Sequence, residues 1–180
     1  MKKVYLILIM TISISIACSS SSDNNNSDKP PSQDLIAVSD MSRVNIPARE
    51  HGYSNLQNIV INSTTELNEF IQLIQQQQAW NNKTDFINVL ESESLNFNSI
   101  NLLFYLHTEG SGSIGVSLEE PIWEGENAVV NVTRTDPGIG TADMAYYAYA
   151  FKVKKTILKV IFIIGETRVE IPNMSERGDR

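Results

Sequence analysis

The sequence predicts an α+β fold rich in strand: an antiparallel sheet or sandwich that carries one principal amphipathic helix. Three observations predict it. Ser63, Thr64, Thr65 and Glu66 form a capping box, and Leu67, Phe70, Ile71 and Ile74 follow at the spacing of a single helical face. Residues 100–106 are almost continuously apolar, as expected of a strand covered on both faces. Further along, several segments alternate apolar and polar residues with the two-residue period of a strand, separated by short polar or glycine-rich stretches.

The chain opens on Lys2 and Lys3, then the apolar run of residues 4–17, then Cys18, its single cysteine. A basic start, a short apolar segment and a small residue before the cut mark a secretory signal, and the run falls short of the ~20 residues a membrane-spanning helix takes. Ser15, Ile16, Ala17 and Cys18 resemble the bacterial lipobox, with Ser15 where leucine is commonest. That resemblance implies cleavage before Cys18 and acylation there, palmitate among the expected chains. Residues 1–17 are thus expected to be a signal peptide, and residues 18–34 a lipidated disordered tether of serine, asparagine and proline with no apolar side chain to bury. Asp23, Asn25 and Ser27 alternate like the start of a calcium loop, but Asp28 stands where that loop needs glycine and Pro30 breaks its register. A single domain follows over residues 35–172. Residues 173–180 read as a flexible tail, so the adhesion tripeptide spelled by Arg177, Gly178 and Asp179 is taken as part of an unstructured end.

Within the domain, residues 57–61 read as a short strand leading into a helix over 64–78. The apolar stripe of that helix needs a sheet to cover it, and the four glutamines at 75–78 close its solvated end. Residues 85–94 fit either a short helix or a loop. The apolar run 100–106 is the central strand. Residues 113–118 alternate, with Ile114, Val116 and Leu118 on one face, and 128–134 alternate as well. Ala145, Tyr147, Tyr149, Phe151 and Val153 line one face of a long strand, after which Lys154 and Lys155 turn the chain into 156–164. Consecutive strands joined by short polar turns imply antiparallel pairing.

Composition narrows the partners. The formal charge is −7, and losing Lys2 and Lys3 with the signal takes it to −9. An acidic chain repels nucleic-acid phosphates and acidic headgroups, so no nucleic-acid partner is expected and membrane contact falls to the lipid on Cys18. With one cysteine no intramolecular disulfide can form, and stability must come from an apolar core.

The motifs that resemble chemistry fail on context. Gly110, Ser111, Gly112, Ser113, Ile114 and Gly115 match the dinucleotide-binding spacing, but that fingerprint needs a helix N-terminus facing the pyrophosphate, whereas 113–118 alternate as a strand. A glycine-rich hairpin turn is expected instead. Ser113 has half of a nucleophile elbow, with Ser111 in place of the first glycine and no helix after it. His51 and His107 are the only histidines, and neither lies in a motif that would hold it against a nucleophile, so no catalytic residue is assigned. His107 and Glu109 fall on one face of a strand end and offer two metal ligands. A metal-dependent hydrolase would need a third that cannot be named, so no metal and no cofactor is assigned. Glu119, Glu120, Glu124 and Glu126 surround Trp123 in what reads as a solvated hairpin connection rather than a glycosidase carboxylate pair. Trp80 reads as a core or rim residue. Trp123, with neighbouring tyrosines, could serve a surface glycan binder if they formed an exposed platform.

One family resemblance draws the pattern together. Residues 54–69, the run from Ser111 to Leu118, the loop Asp136, Pro137, Gly138, Ile139, Gly140 and the strand end Phe151, Lys152, Val153, Lys154 resemble, in order and spacing, the PrcB-like C-terminal domain. That family is named after a lipoprotein subunit of a surface protease complex. The likeness spans about residues 41–165, with Ser113 in place of a second glycine and Ile114 in place of a tyrosine. It implies a non-enzymatic accessory domain that binds another protein, with a protease as a candidate partner. The glycine loops also resemble, at the level of fold, those of immunoglobulin-like inhibitors of cysteine proteases. The expectation is therefore a lipid-anchored module of the bacterial cell envelope, at the outer membrane or cell surface, that assembles with or inhibits a protein partner. Its contact residues are expected in the two loops: Gly110, Ser111 and Gly112 in one, and Asp136, Pro137, Gly138 and Gly140 in the other.

Overall fold

Alternation decides which face of each strand is buried, and here it builds two sheets, one of them covered by helices. The computed structural model describes residues 34–78 and 80–173. The expected signal peptide, Cys18, nearly all of the tether and the Arg177-Gly178-Asp179 tripeptide lie outside the described residues. In chain order the strands are β1 (Met41–Val44), β2 (Ile59–Ile61), β3 (Ile100–Glu109), β4 (Gly115–Leu118), β5 (Ile122–Glu124), β6 (Asn127–Thr135), β7 (Ala145–Lys154), β8 (Lys159–Ile164) and β9 (Thr167–Pro172). The helices are α1 (Thr64–Gln76) and α2 (Lys83–Ser92), with a 3-10 turn over His51–Asn55. One sheet has the order β1-β7-β3-β2 and the other β4-β6-β8-β9, with β5 also paired to β6. The α+β, strand-rich class expected from the sequence is the class observed.

Helix α1 starts where its capping box dictates. Ser63 Oγ accepts from the Glu66 N–H at 3.2 Å, and Glu66 Oε2 accepts from the Asn62 N–H at 2.9 Å. Leu67, Phe70, Ile71 and Ile74 are its buried face. The ambiguous stretch after it is a helix, α2, which buries Phe86, Ile87 and Leu90. Both helices cover one face of the first sheet, meeting Leu102, Phe104, Ala148 and Ala150. The opposite face of that sheet packs on the second sheet. There Leu103, Tyr105, Tyr147, Tyr149, Phe151 and Val153 meet Ala128, Val130, Val160, Phe162 and Ile171. The result is three layers, helices on sheet on sheet, with β3 central and buried on both faces.

Five expectations need correction. Residues 110–115 do not form a hairpin turn: β3 lies in the first sheet and β4 in the second, so they carry the chain across. The same holds at Lys154 and Lys155, because β7 and β8 occupy different sheets. That detour makes one pair parallel, β6 with β8, with Val130 opposite Phe162. Parallel neighbours need a crossover, and β7 is that crossover. Asn173, expected to begin the flexible tail, is fully buried, and its amide donates to the Lys154 and Ile157 carbonyls at 2.9 and 2.8 Å. At the other boundary Asp34 is tied down, its carbonyl accepting from the Trp123 N–H at 2.9 Å.

Candidate functional site

The register of the two sheets brings the glycine loops together. Glu109 pairs with Ala145 where the first sheet ends, and Gly115 pairs with Thr135 where the second begins. The two crossings between those pairs therefore run side by side. One is five residues long (110–114) and the other nine (136–144), so the surplus of the longer loop has nowhere to go but outward. Strands that switch sheets make corners of this kind. The whole of 136–144 is exposed, with Ile139 at 81% and Met144 at 52%.

The base of this pair of loops is fastened. Ser111 Oγ accepts from the Thr141 N–H at 2.8 Å and lies 2.9 Å from Ser113 Oγ. Arg49 Nη1 donates to the Gly112 carbonyl at 2.7 Å, and Arg49 Nη2 lies 3.7 Å from the Asp143 carboxylate. The Asp143 carboxylate sits where a Cβ on Gly112 would be, so glycine lets the two loops close. Hydrogen bonding from Thr141, first, then from backbone amides, together with the Arg49 charge, holds the Asp143 carboxyl below its usual range. From beneath, the Tyr147 hydroxyl donates to the Ile114 carbonyl at 2.5 Å and the Tyr149 hydroxyl to the Val116 carbonyl at 2.8 Å. At the tip, Asp136 Oδ1 accepts from the Gly138 N–H at 2.8 Å, and Gly138 has φ +77, a left-handed value that favours glycine.

Just below the corner lies the only buried charged residue among those described, Glu109, whose side chain is 4% exposed. The period of two along β3 puts it on the inward row with Leu103, Tyr105 and His107. Arg134 answers it from β6 with two hydrogen bonds, Nε to Oε1 at 2.6 Å and Nη2 to Oε2 at 2.7 Å. His107 Nε2 lies 2.6 Å from Oε1. The Arg134 guanidinium, ahead of the His107 contact, holds the Glu109 carboxyl below its usual range against the opposing effect of burial. Burial pushes the neighbouring Tyr105 phenol up to about 12, so it stays protonated at neutral pH. These side chains line an open depression of about 450 Å³ with Ile164, Thr167 and Val169. His107 and Glu109 thus share a face as expected, but they are engaged with each other and with a cation. Among the described residues no three His, Cys, Asp or Glu side chains group as metal ligands. His51 lies apart, edge-on to Tyr146 at 5.6 Å.

The aromatic and acidic candidates disperse. Trp80 is 4% exposed and packs in the helix-side core, edge-on to Tyr53 and tilted against Phe86. Trp123 is half-buried and packs on the core between the sheets. Of the described tyrosines, 53, 105, 147 and 149 are buried. Glu119 bonds Asn131 and Thr133, and Glu124 bonds Arg168.

Sequence reasoning missed Arg49, Arg134 and Asp143. A signal existed for Arg134 alone: an acidic residue on the inward row of a buried strand demands a cation. Arg49 and Gly112 are brought together by the first sheet across a long separation, and no local pattern announces that. In comparisons with known proteins, no family model, no curated protein and no solved structure matches this chain.

Proposed function

We propose that this chain is a non-catalytic protein-binding or assembly module, anchored through a lipid on Cys18 to the bacterial cell envelope, that serves or inhibits a protease. The observation that carries the reading is the corner where the two glycine loops are fastened side by side with Ile139 and the surrounding loop in solvent. A preorganised loop loses little entropy on binding, and an exposed aliphatic tip over a polar, hydrogen-bonded base suits a protein cleft. Gly110, Ser111, Gly112, Asp136, Pro137, Gly138 and Gly140 are the proposed contact residues. The resemblance to the PrcB-like domain and the lipobox-like sequence support the protease and anchor parts of the reading.

The test is capture by cross-linking from the native envelope, followed by identification of the partner. Ser111→Trp should put bulk between the loops, and Ile139→Arg should charge the tip. Each is expected to lower capture at least ~tenfold, a change of ~1.4 kcal/mol in binding, with the fold retained by circular dichroism and thermal unfolding little changed in Ile139→Arg. Retention of full capture by both folded variants would remove the loops from the contact surface. Recovery of a polysaccharide instead of a protein would replace the reading with a glycan binder.

A further inference from the structure

The N–H of Leu106 donates to Asn58 Oδ1 at 2.7 Å, on the β2 side of β3. Backbone groups alternate along a strand, so the N–H groups of Phe104 and Leu102 face β2 as well. The pairs Ile59 with Phe104 and Ile61 with Leu102 are then the hydrogen-bonded ones. Val60, opposite Leu103 between them, turns its own N–H and C=O away from β3. Since β2 is the last strand of its sheet, those groups form an open edge. The next outward N–H, that of Asn62, is already taken by Glu66.

A groove of about 410 Å³ runs beside this edge, between β2 and α1. Ile59, Val60, Phe70 and Leu73 supply its apolar surface, with Ile59 37% and Leu73 51% exposed. Glu66 and Glu69 stand along it with no lysine or arginine among the lining residues. Neither carboxylate is ion-paired among the described residues.

We infer that the β2 edge and this groove form a second docking site, distinct from the glycine loops, which takes an extended segment of another protein rich in branched apolar residues and lysine or arginine. The segment adds to the first sheet as a strand beside β2. Val60 supplies the backbone partners, the groove receives apolar side chains, and the carboxylates of Glu66 and Glu69, neither of them ion-paired among the described residues, select for basic ones. A free edge of one residue between hydrogen-bonded neighbours gives a short contact, so the binding is weak and depends on charge.

The probe is a fluorescein-labelled peptide, Lys-Val-Val-Lys-Val-Val-Lys, titrated with the intact protein and read by anisotropy at low salt. Its counterpart with glutamate in place of each lysine is the control. The lysine peptide is expected to bind with a dissociation constant on the order of 10–100 μM and the glutamate peptide at least ~100-fold more weakly. Val60→Pro removes an outward donor that β3 does not use, and Glu69→Lys reverses an exposed charge that no core contact needs. Each should weaken binding at least ~tenfold. Because Glu69 is exposed, its variant decides the matter even if Val60→Pro fails to fold. No binding of the lysine peptide up to ~1 mM, equal binding of both peptides, or unchanged affinity in Glu69→Lys would overturn the proposal. Concentration-dependent dimerisation abolished by Val60→Pro would assign the edge to a second copy of this chain instead.

Discussion

The inward row of β3 carries polar residues at its two ends, and the ends are closed in different ways. At the start, Asn101 Nδ2 donates to the Asn173 carbonyl at 2.5 Å and to Asn173 Oδ1 at 3.2 Å, while the Asn173 amide serves two further carbonyls. Both residues are buried and neutral. At the finish, buried Glu109 is held by Arg134, whose side chain is 47% exposed, and by His107. The amide end locks the start of the strand to Asn173, the residue that follows β9. The ionic end stands directly under the two loops, since Gly110 follows Glu109 and Asp136 follows Arg134 by two residues. An ion pair with one buried and one half-exposed partner is weak evidence for stability but gives directional, paired geometry. The difference teaches that the fold fastens one end for stability and uses the other to set the position of its exposed corner.

The comparison can be broken most severely at the amide end. Asn173→Ala leaves the Lys154 and Ile157 carbonyls without their buried donors and should cost about 3 kcal/mol. Urea unfolding measures it, and a loss under ~1 kcal/mol would show that water or relaxation closes this end instead. The loop corner should stay intact by amide chemical shifts.

At the ionic end the effect should depend on pH. The folded-state pKa of Glu109 is depressed, so its contribution is fully present above the ordinary carboxylate range and is lost as pH falls through the lowered folded value. Removing the cation in Arg134→Ala cancels much of that depression. Acid unfolding followed by circular dichroism should then begin at higher pH than in the parent, with the shifts of residues 110–114 and 136–144 disturbed already at neutral pH. Identical acid profiles would mean that Arg134 neither stabilises the ionised carboxylate nor holds the corner.

The smallest effect is expected from Tyr147→Phe, which deletes the single hydroxyl under Ile114. About 1 kcal/mol of stability should go, with faster hydrogen exchange confined to the shorter loop. Faster exchange spread evenly over both sheets would place this tyrosine in the general core rather than under the corner.

Much of the fold was legible from periodicity. The face shared by Ala145, Tyr147, Tyr149, Phe151 and Val153 is the face buried between the sheets, and the capped helix starts at the predicted residue. Alternation names a buried face but not the sheet to which it belongs, and for that reason the crossing at 110–114 reads as a hairpin and the turn after Lys154 as a link between antiparallel neighbours. Strand β1 is four residues with Ser42 and Arg43 at its centre, and β9 carries Arg168 and Glu170 outward, so neither shows a long apolar period. Helix α2 lacks a side-chain cap on Asn82, which removes the signal that marked α1. The glycine residues of the candidate site were visible as turn formers. Their fastening by Arg49 and Asp143 was not, because it depends on register between distant strands rather than on local sequence.

The parallel pairing of β6 with β8 bears on how the chain reaches its native state. Strands β1 to β3 are made first and β4 to β6 next, yet the first sheet stays incomplete until β7 slides between β1 and β3. Strand β8, which follows β7 in the chain, pairs with β6. Both halves must therefore hold vacant strand positions while the last quarter of the described chain is placed, a high contact order that slows folding. During that interval the unpaired flank of β3 is open to the wrong neighbour, so crowding or heat should endanger the nascent protein far more than the finished one.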